Sequence, residues 1–293
     1  MVPMRILLIL NPNAGSTATS RVAIQDLAAA LVGHTLEVAL PENGAQAEDA
    51  ARSAVGQGYE RILVGGGDGT VNSVLPALAG SETALGILPV GTVNVLAREF
   101  RIPLELDGAL KVALHGTPRR VDLGQANGHP FALMAGLGYD ARVVADVVPE
   151  LKKLIGPFAY VTAGLQALAV HKSSQFHIEM DDLSVQVPAW LMIVGNAAYY
   201  TYELSLSPDA RMDDGMLDVC IFAEQTALDR LTQLFAAAVG LHAQHPNVTI
   251  FRTSSLRITA EPRVQLQLDG DPAGTTPVEI SVLPGALTVM TPG

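Results

Sequence analysis

Val64-Gly65-Gly66-Gly67-Asp68-Gly69-Thr70 sets three consecutive glycines ahead of Asp-Gly-Thr, and the fold is read from it. The apolar run Arg61-Ile62-Leu63-Val64 leads into it and reads as a buried strand. Val71-Asn72-Ser73-Val74-Leu75-Pro76-Ala77-Leu78 follows, with apolar residues at helical spacing and a stop at Gly80. The glycines therefore stand where a strand becomes a helix. Such a turn brings free backbone N–H groups and the positive end of a helix dipole together, which favours an anion. Glycine permits positive φ and lets a phosphate approach the main chain closely. Asp68 is the odd feature. A carboxylate would repel a bare phosphate, and it makes sense beside a Mg²⁺ ion or an attacking hydroxyl. The plainer alternative is a tight turn with Asp68 as the helix N-cap.

Arg5 to Leu10 is a continuous apolar run, the mark of a strand covered on both faces. It enters Asn11-Pro12-Asn13-Ala14-Gly15-Ser16, a second candidate phosphate contact built from residues that are also ordinary turn formers. A helix is expected over Thr19 to Leu31, a strand over Thr35 to Leu40 and a helix over Ala45 to Val55. Ala84 to Leu88 is a fourth strand, ending in Pro89-Val90-Gly91-Thr92-Val93-Asn94. Strands alternating with helices give a doubly wound parallel α/β sheet, whose ligands bind outside the carboxyl ends of the strands. The loops at Asn11, Gly65 and Gly91 should thus meet at one edge and form a nucleotide site. None has the Gly-Lys-Ser/Thr ending of a P-loop or the spacing of a dinucleotide fingerprint.

After Leu114 short strands dominate: Phe131 to Ala135, Gln175 to Met180, Leu183 to Val187, Leu191 to Val194, Leu217 to Phe222, Val248 to Phe251, Leu256 to Thr259, Val264 to Leu268, Val278 to Leu283 and Ala286 to Met290. Asp181-Asp182, Asp214-Gly215, Asp269-Gly270 and Pro284-Gly285 punctuate them, which suggests an antiparallel β-sandwich. Helical inserts are expected over Leu151 to His171 and Thr226 to His242. The first reads either as an ordinary core helix or as the wall of an acyl-chain pocket, with Lys152 and Lys153 near lipid headgroups. The boundary falls near Val121, giving an α/β domain over 1–121 and a sandwich domain over 122–293 whose C-terminal end is a candidate for packing back on the first. Two acidic turns stand out in the second half. Asp213-Asp214-Gly215 sets adjacent carboxylates in a turn, where a cation would relieve their repulsion, although a solvated turn reads the same way. Asp269-Gly270-Asp271 leaves a strand as a hairpin turn would, and a carboxylate there could accept a proton from a hydroxyl nucleophile.

The 293 residues are 49% hydrophobic and 16% charged, with 18 Lys+Arg against 29 Asp+Glu and a net charge of −11. An acidic chain is a poor general binder of nucleic acid and a poor electrostatic binder of anionic lipid, so peripheral membrane contact is the most expected of it. The one cysteine, Cys220, excludes an intrachain disulfide and reads as a buried thiol in an apolar run. No signal peptide is visible, and the apolar segment Leu154 to Val170 falls short of the ~20 residues that span a bilayer. The expected compartment is the cytoplasm.

Asn11-Pro12-x-x-Gly15, Gly66-Gly67-Asp68-Gly69-Thr70, Pro89-x-Gly91-Thr92-x-Asn94, Pro208-x-Ala210-x3-Asp214-Gly215-x-Leu217-Asp218 and Leu268-Asp269-Gly270-Asp271 form an ordered set over nearly the whole chain. The set resembles the bacterial diacylglycerol kinase-like lipid kinases, relatives of sphingosine and ceramide kinases and, more distantly, of NAD kinases. The resemblance implies an ATP-dependent lipid kinase acting on a lipid hydroxyl of diacylglycerol, phosphatidylglycerol or sphingoid type. It implies nucleotide contacts at Asn11, Gly65, Gly66, Gly67, Asp68, Gly69, Thr70 and Thr92, with Gly15, Asn72 and Asn94 as further candidates. It assigns a Mg²⁺ ion to the Asp214 carboxylate with main-chain oxygens at Arg211 and Met216. It makes Asp271 the general base, where the family commonly has Glu, and leaves Asp68 as a rival. A Thr that often follows the second strand is absent here, where Ala39-Leu40-Pro41-Glu42 stands. An NAD kinase-type phosphotransferase and a non-catalytic nucleotide- or lipid-binding regulator are the alternative readings.

Overall fold

The computed structural model describes residues 3–11, 33–138, 173–180, 183–201, 204–224, 226–238 and 240–293. The chain forms two compact units. The first is Met1–Leu123, Met212–Asp214 and Leu283–Gly293; the second is Gly124–Arg211 and Gly215–Val282.

The first unit is a parallel α/β sheet. Its strands are β1 (Arg5–Leu10), β2 (Thr35–Ala39), β3 (Arg61–Gly66) and β4 (Ala84–Pro89), in the order β2–β1–β3–β4. Five of the six residues of β1 are buried, and so are all six of β4, as runs without alternation require in a sheet covered on both faces. The last part of β17 (Val278–Thr291) lies parallel to β4, with Thr288 opposite Ala84 and Val289 opposite Leu85. Connections leave β1 toward β2 on one side and reach β3 on the other. The switch point of the winding is therefore between β1 and β3, where Leu10 lies opposite Gly65. Helix α1 (Gly44–Gly56) buries Ala47, Ala51 and Ala54 and packs on α2 (Asp68–Leu78), which buries Val71, Val74, Leu75 and Leu78. Two further helices follow, α3 (Val95–Glu99) and α4 (Leu106–His115). The Arg61 guanidinium donates to the carbonyls of Ala113 and Leu114 at the end of α4, where a cation suits the dipole. Burial pulls its pKa down.

The second unit is antiparallel. It contains β6 (His129–Phe131), β7 (Met134–Gly138), β8 (Ser174–Met180), β9 (Leu183–Gly195), β10 (Tyr199–Thr201), β11 (Leu204–Ser205), β12 (Leu217–Ala223), β13 (Val248–Thr253), β14 (Ser255–Glu261), β15 (Gln265–Leu268) and β16 (Asp271–Thr275). Strand β9 organises it. The first half of β9 forms a hairpin with β8, and the second half runs between β7 and β12. Alternation in β8 turns Phe176, Ile178 and Met180 inward against Leu137, Met192, Leu217, Val219 and Leu266. Helix α5 (Ala227–Ala238) and a 3-10 turn at His242–Gln244 connect β12 to β13.

Several expectations are corrected. The strand expected over Phe131 to Ala135 is interrupted at Ala132 and Leu133, because the amides of Ala132, Leu133 and Met134 all donate to the Asp269 carboxylate. Leu183 to Val187 and Leu191 to Val194 are one strand, continuous through Pro188. Pro284-Gly285 is not a hairpin turn: β17 runs through it, with Gly285 at φ +56 donating its N–H to buried Asp122. Strand β5 (Thr117–Ala126) contains the boundary expected at Val121, and the first unit runs to Leu123. Strands β5, β10, β11 and β16 and helices α3 and α4 match no element expected from the sequence. The helices expected over Thr19 to Leu31 and Leu151 to His171, and the Asp181-Asp182 turn, lie outside the described residues.

Candidate functional site

In the first unit, the ends of β1, β3 and β4 carry the three loops singled out in the sequence. The structure brings them together. The Asn11 N–H donates to the Gly65 carbonyl at 3.0 Å, and its side-chain amide donates to the Thr70 hydroxyl at 3.2 Å. The Val90 N–H donates to the Gly66 carbonyl at 3.2 Å, and the Leu96 N–H to Asp68 Oδ1 at 3.2 Å. The strand–helix turn is short: β3 ends at Gly66, and α2 begins at Asp68. Gly67, not Asp68, is the N-cap, and it offers no side-chain cap, so the start of α2 keeps amides suited to an anion. Asp68 is the first helical residue, half-buried, and its carboxylate ties α2 to the start of α3.

None of Gly65, Gly66, Gly67, Gly69 or Gly91 takes a positive φ. What requires glycine here is close approach. A Cβ on Gly91 would lie 2.3 Å from Gly67 Cα and 2.8 Å from Asn94 Oδ1, so two loops touch main chain to main chain. Asn94 sits at φ 54, ψ 53 and is buried. Its Oδ1 accepts from Gly91 N–H at 3.1 Å, and its Nδ2 donates to the carbonyls of Gly91 and Pro89. Its amide thus shapes the loop instead of facing outward. Thr92 and Gly69 are exposed, whereas Asn72 is half-buried, four residues along α2 from Asp68. Gly15 lies outside the described residues.

The acidic turn at Met212–Asp214 belongs to the first unit. Asp213 pairs with Arg119 at 2.6 Å, so an arginine already answers the repulsion between neighbouring aspartates. Asp214 and Arg211 are exposed, Met216 is half-buried, and Gly215 takes φ +70. In the second unit, Asp218 is buried and pairs with Arg252 at 3.3 Å. No cluster of three or more His, Cys, Asp or Glu poised for a metal occurs among the described residues. A carboxylate with main-chain oxygens is nevertheless a hard donor set, suited to Mg²⁺, which keeps several of its waters.

Asp271 opens β16 and is exposed. Leu268 and Asp271 pair across a two-residue turn in which Asp269 (φ +50) and Gly270 (φ +93) are both left-handed. This is the type I′ hairpin that Asp-Gly favours. Asp269 was not among the expected site residues. Its carboxylate accepts three main-chain N–H groups, from Ala132 at 2.7 Å and from Leu133 and Met134 at 2.8 Å each. Only its place beside Asp271 in sequence hinted at it.

The family model described as the diacylglycerol kinase catalytic domain matches residues 5–126, and that described as the YegS C-terminal NAD kinase beta sandwich-like domain matches residues 134–291. A Staphylococcus epidermidis diacylglycerol kinase is 31% identical over 293 residues, covering 98% of this chain and 92% of its own. The chain belongs to the bacterial diacylglycerol kinase-like family of lipid kinases. A Synechocystis protein is 34% identical to the kinase over 242 residues, and the kinase spans only 56% of that protein's length. A crystal structure from Bacillus anthracis, described as that of a candidate diacylglycerol kinase, superposes on the kinase with a TM-score of 0.84 at 25% identity, covering 99% of this chain and 96% of that one. No helix of the kinase among the described residues is long and apolar enough to cross a membrane.

Proposed function

We propose that the kinase transfers the γ-phosphate of ATP to a hydroxyl of a membrane lipid, of diacylglycerol, phosphatidylglycerol or sphingoid type, from the cytoplasm. The observation that carries this reading is the meeting of the three loops at the switch point of the parallel sheet. In this reading the Gly65–Gly67 main chain, the amides at the start of α2, Asn11 and the exposed Thr92 hydroxyl contact the ATP phosphates. Asn72 and Gly69 flank it on α2, and Asn94 holds the Gly91 loop in shape. Asp271 is the base in this reading, taking the hydroxyl proton late in the transfer. Loose phosphoryl-transfer transition states ask more of position and charge than of base strength, so a carboxylate one methylene shorter than Glu suffices. Asp214, with the main-chain oxygens of Arg211 and Met216, would hold Mg²⁺. When bound, that ion supplies positive charge to the site. The net charge of −11 argues against nucleic acid as a partner.

The test is incubation with radiolabelled ATP and a total lipid extract, followed by mass spectrometry of the labelled product. A labelled phospholipid or phosphosphingoid is expected. Label on NAD supplied in the same assay would replace this reading with the NAD kinase type. ATP binding with no labelled product across a broad lipid panel would replace it with a regulator.

A further inference from the structure

We infer that Asp269 is a positioning residue that fixes the Asp271 carboxylate for proton transfer, a role that rests on the proposed assignment of Asp271 as base. Ala132, Leu133 and Met134 are buried, and their amides cannot turn to water. All three converge on the two oxygens of one carboxylate. The other side of the same loop is also held: Asn196 donates its Nδ2 to the Ala132 carbonyl and its main-chain N–H to the Leu133 carbonyl, each at 2.8 Å. The 132–134 loop is therefore a fixed platform. Asp269 is bound to it a fourth time, through its own N–H to the Met134 carbonyl at 2.9 Å.

Asp269 takes the left-handed conformation that the type I′ turn requires and that Asp adopts more readily than most residues, and the clamp holds it there. The next residue is anchored as well, since the Gly270 N–H donates to the buried Gln267 side chain at 2.6 Å. Asp271 follows directly, so its Cα is set by two residues that cannot shift without breaking these bonds. A neutral amide at 269 would offer one acceptor oxygen and turn an N–H₂ group toward a main-chain donor. A carboxylate is thus the group this turn requires.

The test is a double-mutant cycle on kcat, normalised to folded protein by thermal melting, with lipid as acceptor. Asp269→Asn should lower kcat on the order of 100-fold and leave KM for ATP unchanged. In an Asp271→Ala background the same change should lower kcat no further, because its effect runs through Asp271. Hydrogen exchange at Ala132, Leu133 and Met134 should quicken in Asp269→Asn. Asp269→Ser keeps one acceptor and serves the same cycle if the amide variant melts below the assay temperature. Losses that multiply in the double variant would overturn the inference while leaving Asp271 as base. An Asp271→Ala enzyme at the wild-type rate would overturn the base assignment and this inference with it.

Discussion

Asp68 has one structural contact and one proposed role in phosphate transfer, and single substitutions should separate them. Its Oδ1 accepts from the buried Leu96 amide, and its charge lies beside the expected phosphate site. Asp68→Asn keeps an acceptor, so it should fold like the wild type yet lose phosphate transfer by about 100-fold or more. Asp68→Ala should lose transfer and also about 1–3 kcal/mol of stability, because the Leu96 N–H is stranded. Lipid phosphorylation and melting temperature measured on both variants check this. Asp214→Asn should abolish any rise in melting temperature that Mg²⁺ gives the wild-type kinase, whatever its effect on turnover. Cys220 is fully buried, and burial pushes its thiol up to about 12. Folded protein should resist a thiol-specific reagent at pH 8 and react once unfolded, since only the thiolate attacks. The sign of its pH linkage follows: the unfolded thiol ionises from 9.0, the folded one only at about 12, so this contribution to stability falls as pH rises through that window. Asp68 and Cys220 were legible from local sequence. Asp269 was not, because its partners lie 135 to 137 residues away.

Among the elements, composition and periodicity found most strands and three of the five described helices; they missed β5, β10, β11, β16, α3 and α4, and the places where hydrogen bonds redirect the chain. Arg5 to Leu10 and Ala84 to Leu88 matched their strands because a buried parallel strand is a plain apolar run. The break at Ala132-Leu133 escaped because an apolar pair gives no sign that a distant carboxylate takes its amides. Pro188 lies in the long β9, where a proline usually argues for a break. The touching Gly67 and Gly91 loops make a test at this scale. Gly91→Ala must push two stretches of main chain apart, so nucleotide binding should weaken at least about 10-fold, with a loss of about 1–3 kcal/mol in stability. Isothermal titration with ATP and a thermal melt would measure both. Loss of neither would mean that the loops are free to separate.

Across the whole molecule, the chain leaves the first unit after Leu123, returns for Met212–Asp214, and returns again at Leu283. Asp122 joins these passages within the first unit, its N–H to the Met212 carbonyl at 2.6 Å and its carboxylate to the Gly285 N–H at 2.7 Å. The last strand then covers the edge of β4. Removing residues 283–293 should therefore expose that edge and its apolar neighbours, leaving an aggregating protein without ATP binding; size-exclusion chromatography and titration would report it. Periodicity and turn chemistry within a dozen residues were enough to read the α/β and β classes, the three loops at the strand ends and the acidic turns. It took the folded chain to show that Asn94 serves its own loop, that Asp213 pairs with Arg119, and that Asp269 is clamped by three amides. Each of those pairings joins groups by geometry in space, and a one-dimensional pattern carries no record of which distant donor will meet a given acceptor.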